Sequence, residues 1–93
     1  MNPMYQHIDI FKKAIEELSW RWSKLKEEPH SMIYYIHNTG TILIFSAVQV
    51  AVISFNCQFI FTDYYIEAAK SRGVADRLKQ IIADSIFERL GGK

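Results

Sequence analysis

Cysteine, histidine and aspartate are the side chains of this sequence that could perform nucleophilic chemistry. Cys57 with His37 and Asp63 is the minimum set for a thiol nucleophile, a base and a group that orients the base. Cys57, however, alternates with Phe55 and Phe59 on what reads as the apolar face of a strand. A buried thiol is inert because burial disfavours the thiolate, and no glycine-rich elbow surrounds this one. We therefore predict a structural cysteine and no catalytic residue.

The histidines are the other candidate ligands. His7, His30 and His37 fall in a predicted helix, a loop and the end of a predicted strand. Zinc sites usually draw ligands from close pairs such as C-x₂-C or H-x₃-H, and the chain has a single cysteine. We expect three surface or half-buried histidines, and neither a metal nor another cofactor.

Two pairs of adjacent acids could in principle provide general acid–base catalysis. Glu16 and Glu17 form one pair, and Glu27 and Glu28 form the other. An acid–base pair must converge across a cleft, whereas neighbours on an exposed helix point apart. These acids predict a solvated helix face, and a chain without a catalytic constellation is expected not to be an enzyme.

A first helix is predicted over residues 4–28. Asn2 can cap it with Pro3 at the first helical position, and Pro29 stops it. One side of this helix carries an apolar stripe whose members recur at alternating spacings of four and three: Met4, Ile8, Phe11, Ile15, Leu18, Trp22 and Leu25. Trp20 points away from this stripe and is therefore expected to be exposed, and an exposed tryptophan favours an interface.

Strands are predicted in the stretch that follows. Residues 30–62 contain no Lys, Arg, Asp or Glu and are rich in residues that favour strands. Three strands are predicted, over residues 31–37, 41–47 and 52–62. The join at residues 46–50 has no Gly, Pro, Asn or Asp, so either an unusual turn forms there or one bent strand runs through. We favour a turn near Ala47 to Gln49.

A second helix completes the fold. Asp63 can cap it, Gly73 predicts a kink or break within it, and Gly91–Gly92 ends it. Together the elements predict one α+β domain over residues 1–93, in the order α-β-β-β-α, with a three-stranded antiparallel sheet packed against the helices.

Charge and cysteine content limit the classes of function. The 93 residues carry a formal net charge of +1, whereas nucleic-acid binders usually show a basic surplus that neutralises phosphates. A single cysteine excludes a disulfide within the chain and favours a reducing compartment, so we expect a cytoplasmic protein. Residues 39–62 are long enough for a membrane span, but polar side chains at alternate positions in their second half argue against one.

The second predicted strand is apolar on both faces. Ile42 and Ile44 share one face, and Leu43 and Phe45 share the other. Two helices on one side of the sheet would leave an exposed apolar patch, and such a patch usually marks an interface. We therefore predict a homodimer through the open sheet face or a strand edge; the alternative is a monomer with one helix on each face. Including the exposed tryptophan and the valines that continue the parity of the isoleucines, the predicted interface comprises Trp20, Ile42, Ile44, Val48, Val50 and Val52.

Three functions are compatible with these features. The first is a non-catalytic protein-binding module, such as a regulator, adaptor or inhibitor, that acts through an apolar and aromatic surface as a homodimer. The second is a nucleic-acid-binding domain, because the order helix, three strands, helix resembles that of the double-stranded-RNA-binding domain. The basic run expected at the start of the last helix is missing, however, and only Arg72, Arg77 and Lys79 are plausible phosphate contacts. The third is a membrane-associated protein that uses residues 39–62.

Overall fold

A computed structural model describes residues 2–89, in which two helices pack on one face of a five-stranded antiparallel sheet. The strands are adjacent in the order in which they follow one another along the chain. The predicted α+β class is confirmed, whereas the predicted number of strands is wrong. The elements are α1 Pro3–Glu17, β1 Trp22–Glu28, β2 Ser31–Ile36, β3 Thr41–Phe45, β4 Gln49–Ser54, β5 Cys57–Thr62 and α2 Asp63–Arg89.

Helix α1 begins as predicted and ends early. The side chain of Asn2 accepts a hydrogen bond of 3.0 Å from the backbone N–H of Met4, and Pro3 occupies the first turn. The helix ends at Glu17, and Ser19 has a φ of 58° that no helix continues through. The predicted second half of the helix is wrong because the residues from Trp22 onward pair with β2 instead, and tertiary pairing outweighs helical propensity.

The third predicted strand is two strands joined by a tight hairpin. Ser54 pairs with Cys57, so the loop consists of Phe55 and Asn56 alone. Two-residue hairpin loops need a positive φ, and Phe55 adopts a φ of 56° without being glycine. The loop also divides the predicted apolar face of the third strand. Ile53 pairs with Gln58, so it lies on the opposite side of the sheet from Phe59 and Phe61.

A turn joins β3 to β4 near the predicted place. The Ser46 hydroxyl donates to the carbonyl of Gln49 at 3.0 Å and accepts from its backbone N–H at 3.3 Å. Serine thus closes a turn that contains no glycine, proline or asparagine. Four residues lie between Phe45 and its partner Val50, and because this number is even, the odd-numbered residues of β3 share a face with the even-numbered residues of β4.

Helix α2 is kinked within its first half. Lys70 has φ 58° and ψ −170°, a conformation that interrupts the helix. The predicted interruption therefore occurs three residues before Gly73. The glycine is required for another reason, because a Cβ atom there would lie 2.7 Å from the Cβ atom of Ala69. The predicted end at Gly91–Gly92 lies outside the described residues.

The core lies between the helices and one sheet face. Phe11 of α1 is fully buried, and its ring meets those of Phe45 and Phe61 edge-on at centroid distances of 5.3 Å each. From the sheet, Leu43, Val50 and Val52 contribute side chains with no exposed surface. The second half of α2 adds the buried residues Val74, Ala75, Leu78, Ile81 and Ile82.

Candidate functional site

The sheet face opposite the helices carries a continuous apolar surface. Strand pairing places Ile33 opposite Ile44, Ile44 opposite Ala51, and Ala51 opposite Ile60. A neighbouring row runs from Tyr35 through Ile42 to Ile53. We call these side chains the open sheet face: Ile33, Tyr35, Ile42, Ile44, Ala51, Ile53 and Ile60.

Neighbours within the sheet bury Ala51, which is 7% exposed, and bury part of the larger side chains without covering them. Ile42 and Ile44 are half-buried, and Ile60 on the outermost strand is 46% exposed. The two rows lie two residues apart along each strand, and side chains on adjacent strands are about 5 Å apart. The isoleucines therefore touch one another laterally while their outer surfaces meet water.

Formal charge occurs at only one margin of this face. On the five strands, the charged side chains with the open-face parity are Lys26 and Glu28, both on β1. Lys26 Nζ lies 3.2 Å from a carboxylate oxygen of Glu28, so the two charges compensate each other. A hydrogen bond from the Ser31 hydroxyl, and then the contact with Lys26, hold the pKa of Glu28 below its ordinary value. The interior of the face is uncharged.

The structure places the predicted interface residues in three different environments. Ile42 and Ile44 lie on the open sheet face, as predicted. Val50 and Val52 are 0% exposed beneath the helices, so their predicted placement on that face is wrong. The physical reason is the even number of residues, four, between the paired residues Phe45 and Val50, which places both valines on the same face as Leu43 and Phe45. Val48 is 70% exposed within that loop.

Trp20 lies in the connection between α1 and β1. The predicted position on a helix surface is wrong because the helix has already ended. Its side chain is partly buried and packs against the core. Together with Lys12, Arg21 and His37 it lines a cleft of about 340 Å³. An interface role for Trp20 stays a prediction.

Five members of the open sheet face were not predicted from the sequence: Ile33, Tyr35, Ala51, Ile53 and Ile60. Ile33 and Tyr35 share the face through the pairing of β2 with β3. Ala51, Ile53 and Ile60 share it because of the two turns that set the register of β4 and β5. The Asn56 turn was the available signal, since asparagine is common in hairpin loops. A two-residue turn at Phe55 and Asn56 places Ile53 on the same face as Ile60, opposite the aromatic side chains of Phe59 and Phe61.

The structure does not assemble the nucleophilic set that the sequence contains. Cys57 lies at the β4–β5 hairpin near Ser85, whereas His37 Nε2 contacts the Ser23 hydroxyl at 2.6 Å. Asp63 contacts His7. Among residues 2–89, no group of three or more His, Cys, Asp or Glu side chains could hold a metal ion.

His7 departs from the sequence expectation. It is fully buried, although a surface or half-buried histidine was predicted, so that prediction is wrong. Its Nδ1 atom lies 2.9 Å from the carbonyl oxygen of Ser46, and its Nε2 atom lies 2.5 Å from Asp63 Oδ1. His7 is three residues after Met4 and four before Phe11, so it lies on the buried face of α1. This spacing was a signal that the imidazole would enter the core.

The three predicted phosphate contacts are exposed on α2 but do not converge. Arg72 and Lys79 are seven residues apart and share one helix face, on which Asp76 lies 3.9 Å from Arg72. Arg77 lies on another flank, against β5. The basic charge is therefore divided and partly compensated.

Residues 39–62 form the main part of the sheet, from the β2–β3 turn to the end of β5. In the part of the chain that the structure describes, no helix has the length and apolar character needed to cross a membrane.

No protein-family model, curated protein sequence or solved structure matches this chain.

Proposed function

We propose that this chain is a small, non-catalytic protein-binding module that works as a homodimer, in which the open sheet faces of two copies pack together. The observation that carries the proposal is the uncharged row of isoleucines across neighbouring strands, centred on Ile44. Contiguous exposed apolar surface is uncommon on a monomer and usually marks an interaction site. A regulator, adaptor or inhibitor of this kind would then present its helices and loops to other partners.

The shape of the face favours a second copy as the occupant. The five strands have five to seven residues each, and strand spacing and rise then give a face of about 24 by 18 Å. Two such faces, with their side-chain relief, bury on the order of 1,000 Å², which is near the lower limit for a specific interface. A two-fold pair of flat sheets can reach this area because the same patch serves both subunits.

The charge distribution supports the same occupant. A face with uncompensated charge would repel its own copy, because a two-fold interface brings like patches together. Here Lys26 and Glu28 neutralise each other at the margin, 3.2 Å apart, and the residues between are uncharged. Two sheets packed in this way would bury the isoleucines as the two layers of a β-sandwich do.

The molar mass in solution tests the proposal. Light scattering across a concentration series should show a rise from 10.9 kDa toward twice that value. Ile44→Glu should abolish the rise, because it would bury two carboxylates at the centre of the interface. Ile44→Thr keeps a β-branched residue at the same position and should weaken the association without unfolding the strand.

Tyr64→Glu is the matched control. Tyr64 is 85% exposed on α2, and the helices lie on the other side of the sheet. This variant also replaces an exposed apolar side chain with an acid, so it should dimerise like the parent. A parent that remains monomeric up to about 100 µM, a concentration well above a micromolar Kd, would refute the homodimer.

A further inference from the structure

The two edges of the sheet are protected to very different extents. Edge strand β1 carries Lys24, Lys26, Glu27 and Glu28, and its pairing with β2 is interrupted by a register shift between Lys24 and Lys26. Charges and bulges are the devices by which proteins prevent a further strand from adding to an edge. Edge strand β5, Cys57–Thr62, has no charge, no proline and an uninterrupted register with β4.

The backbone of β5 presents a regular row of hydrogen-bonding groups on its outer side. The pair that closes a two-residue hairpin, here Ser54 and Cys57, exchanges backbone hydrogen bonds, and such pairs then alternate along the ladder. The bond of 3.2 Å from the N–H of Asp63 to the carbonyl of Val48 follows the same alternation. The N–H and C=O groups of the intervening residues, which are Gln58, Ile60 and Thr62, consequently point outward. Within residues 2–89, no sixth strand pairs with them.

A groove runs beside this edge on the helix side of the sheet. It has a volume of about 330 Å³ and is bounded by β5 and α2. Its walls are mainly aromatic and aliphatic, and Phe61 and Tyr65 are in ring contact with centroids 5.6 Å apart. The side chains that line it include Phe59, Phe61, Tyr65, Arg77 and Ile81.

Among residues 2–89, Arg77 is the only charged residue that lines the groove. In the described part of the chain it makes no ion pair, whereas Arg72, Lys70 and Lys24 each have an acidic partner. An unpaired guanidinium beside an apolar groove suits a carboxylate, because its planar fork matches the two carboxylate oxygens.

We propose that β5 binds an extended segment of a partner protein as a sixth, antiparallel strand. The segment's alternate apolar side chains enter the groove, and one carboxylate among them pairs with Arg77. Main-chain hydrogen bonds to an open edge supply affinity in this mode of recognition, and pockets for alternate side chains supply specificity. The edge and the groove share Ile60 with the open sheet face but otherwise use different side chains and the outer backbone of β5. This inference therefore goes beyond the proposed dimer and can hold without it.

A second copy of β5 is a poorer occupant of the same edge. The strand Cys57–Thr62 contains no acidic residue, and Asp63, which follows it, already contacts His7. Pairing of two β5 strands would therefore leave Arg77 without a carboxylate. A partner segment that carries an acid satisfies both the edge and the charge.

The pleat defines which residues of the segment perform which role. Residues opposite Phe59 and Phe61 have side chains on the groove side and backbone groups that point away from β5. Residues opposite Gln58, Ile60 and Thr62 bond to β5, and their side chains lie on the other side. The acetylated and amidated peptide Thr-Val-Thr-Glu-Thr-Val-Thr meets this pattern, with the valines and the glutamate in the groove.

Titration of the full-length protein with this peptide, followed by amide chemical shifts, tests the proposal. Shifts should concentrate on the amides of β5 and on Arg77. N-methylation of the peptide's threonines should weaken binding at least about tenfold, because it removes the donors that face β5. N-methylation of its valines, whose N–H groups face solvent, should change the affinity less than about twofold. A tenfold loss of affinity corresponds to about 1.4 kcal/mol, which is the size of the net contribution of one hydrogen bond.

A charge exchange at Arg77 gives an independent readout. Arg77→Glu alters an exposed side chain and should fold like the parent. It should bind the glutamate peptide at least about tenfold more weakly and bind a peptide with lysine at that position more tightly than the parent does. Arg77→Gln should weaken the glutamate peptide without favouring the lysine peptide.

Three results would overturn the proposal. The first is no shift of β5 amides up to about 1 mM peptide, the weakest affinity of interest. The second is equal sensitivity to methylation of threonines and valines. The third is concentration-dependent protection of β5 in the protein alone with no effect of peptide, which would assign the edge to a second copy. A monomeric parent protein would refute the open-face dimer and leave this test unaffected.

Discussion

The imidazole of His7, fully buried in the first half of α1, lies 2.5 Å from the carboxylate of Asp63, the first residue of α2. The other ring nitrogen, Nδ1, must donate to the carbonyl oxygen of Ser46, 2.9 Å away, because a carbonyl only accepts. A single histidine thus connects both helices to the loop between β3 and β4. The connection holds the helical layer on the sheet at one end of the molecule.

Asp63→Asn should destabilise the protein. The substitution keeps the shape of the side chain but removes the charge that strengthens its hydrogen bond with buried His7. We expect the free energy of unfolding, measured by urea denaturation, to fall by about 1–3 kcal/mol, the range for hydrogen bonds to charged groups. Asp76→Asn is the matched control, because Asp76 forms an exposed pair of 3.9 Å with Arg72 and should change stability by less than about 0.5 kcal/mol. Equal effects of the two variants would show that His7 gains nothing from the charge.

Lys70→Gly should stabilise the protein. A φ of 58° with a ψ of −170° belongs to a region that essentially only glycine populates, at a cost of about 1–3 kcal/mol for other residues. Glycine also makes the unfolded chain more flexible, which lowers the free energy of unfolding by roughly 0.5–1 kcal/mol. A net gain in stability of about 1 kcal/mol is therefore expected. The thermal midpoint should rise by about 4–8 °C. Lys70→Ala, which loses only the exposed pair with Glu67 and keeps the strain, should leave it nearly unchanged.

Gly73→Ala should destabilise the protein even though alanine favours helices. The new Cβ atom would lie 2.7 Å from that of Ala69, so the backbone of the kink must shift. We expect a loss of about 1–3 kcal/mol by urea denaturation, the usual range for overpacking. Ala69→Gly in the same molecule removes the opposing atom. The double variant should therefore be more stable than the sum of the two single effects, and strict additivity would exclude the clash as the cause.

The strand β1 should loosen selectively in acid. The Ser31 hydroxyl and then Lys26 lower the pKa of Glu28 in the folded protein from its ordinary 4.5. The stabilisation is therefore fully present above the unfolded value and is lost as the pH falls through the lower folded value. The amide protection factors of β1, which correct for the intrinsic slowing of exchange in acid, should fall over that interval, and Glu28→Gln should remove this part of the pH dependence. An unchanged profile in Glu28→Gln would assign the acid response to another group.

Features that depend on neighbours along the chain were predictable from the sequence. The start of α1 follows from Asn2 and Pro3, which act on the first turn alone. β2 and β3 follow from runs of residues that favour strands. An interruption of α2 was predicted at Gly73, and it lies three residues earlier, at Lys70. Ile42 and Ile44 were placed on the exposed face by the alternation within a single strand.

Features that depend on pairing between strands were decided only by the tertiary structure. The residues after Trp22 continue the helical spacing of α1, yet they form β1 because β2 offers an antiparallel partner. Val50 and Val52 lie in the core because an even number of residues, four, separates the paired residues Phe45 and Val50. A change of one residue in a loop inverts every side chain beyond it, and single-strand alternation carries no information about that number.

The composition of the open sheet face and of the groove beside β5 was likewise decided by the pairing between strands. The sequence by itself determined that an apolar surplus exists, and that the chain contains no charge between His30 and Thr62. The tertiary structure decided which isoleucines remain exposed, which valines are buried, and that β5 ends the sheet beside Arg77. Composition counts side chains, whereas exposure depends on the register and the layer that cover them, and both arise from contacts between residues far apart in the chain.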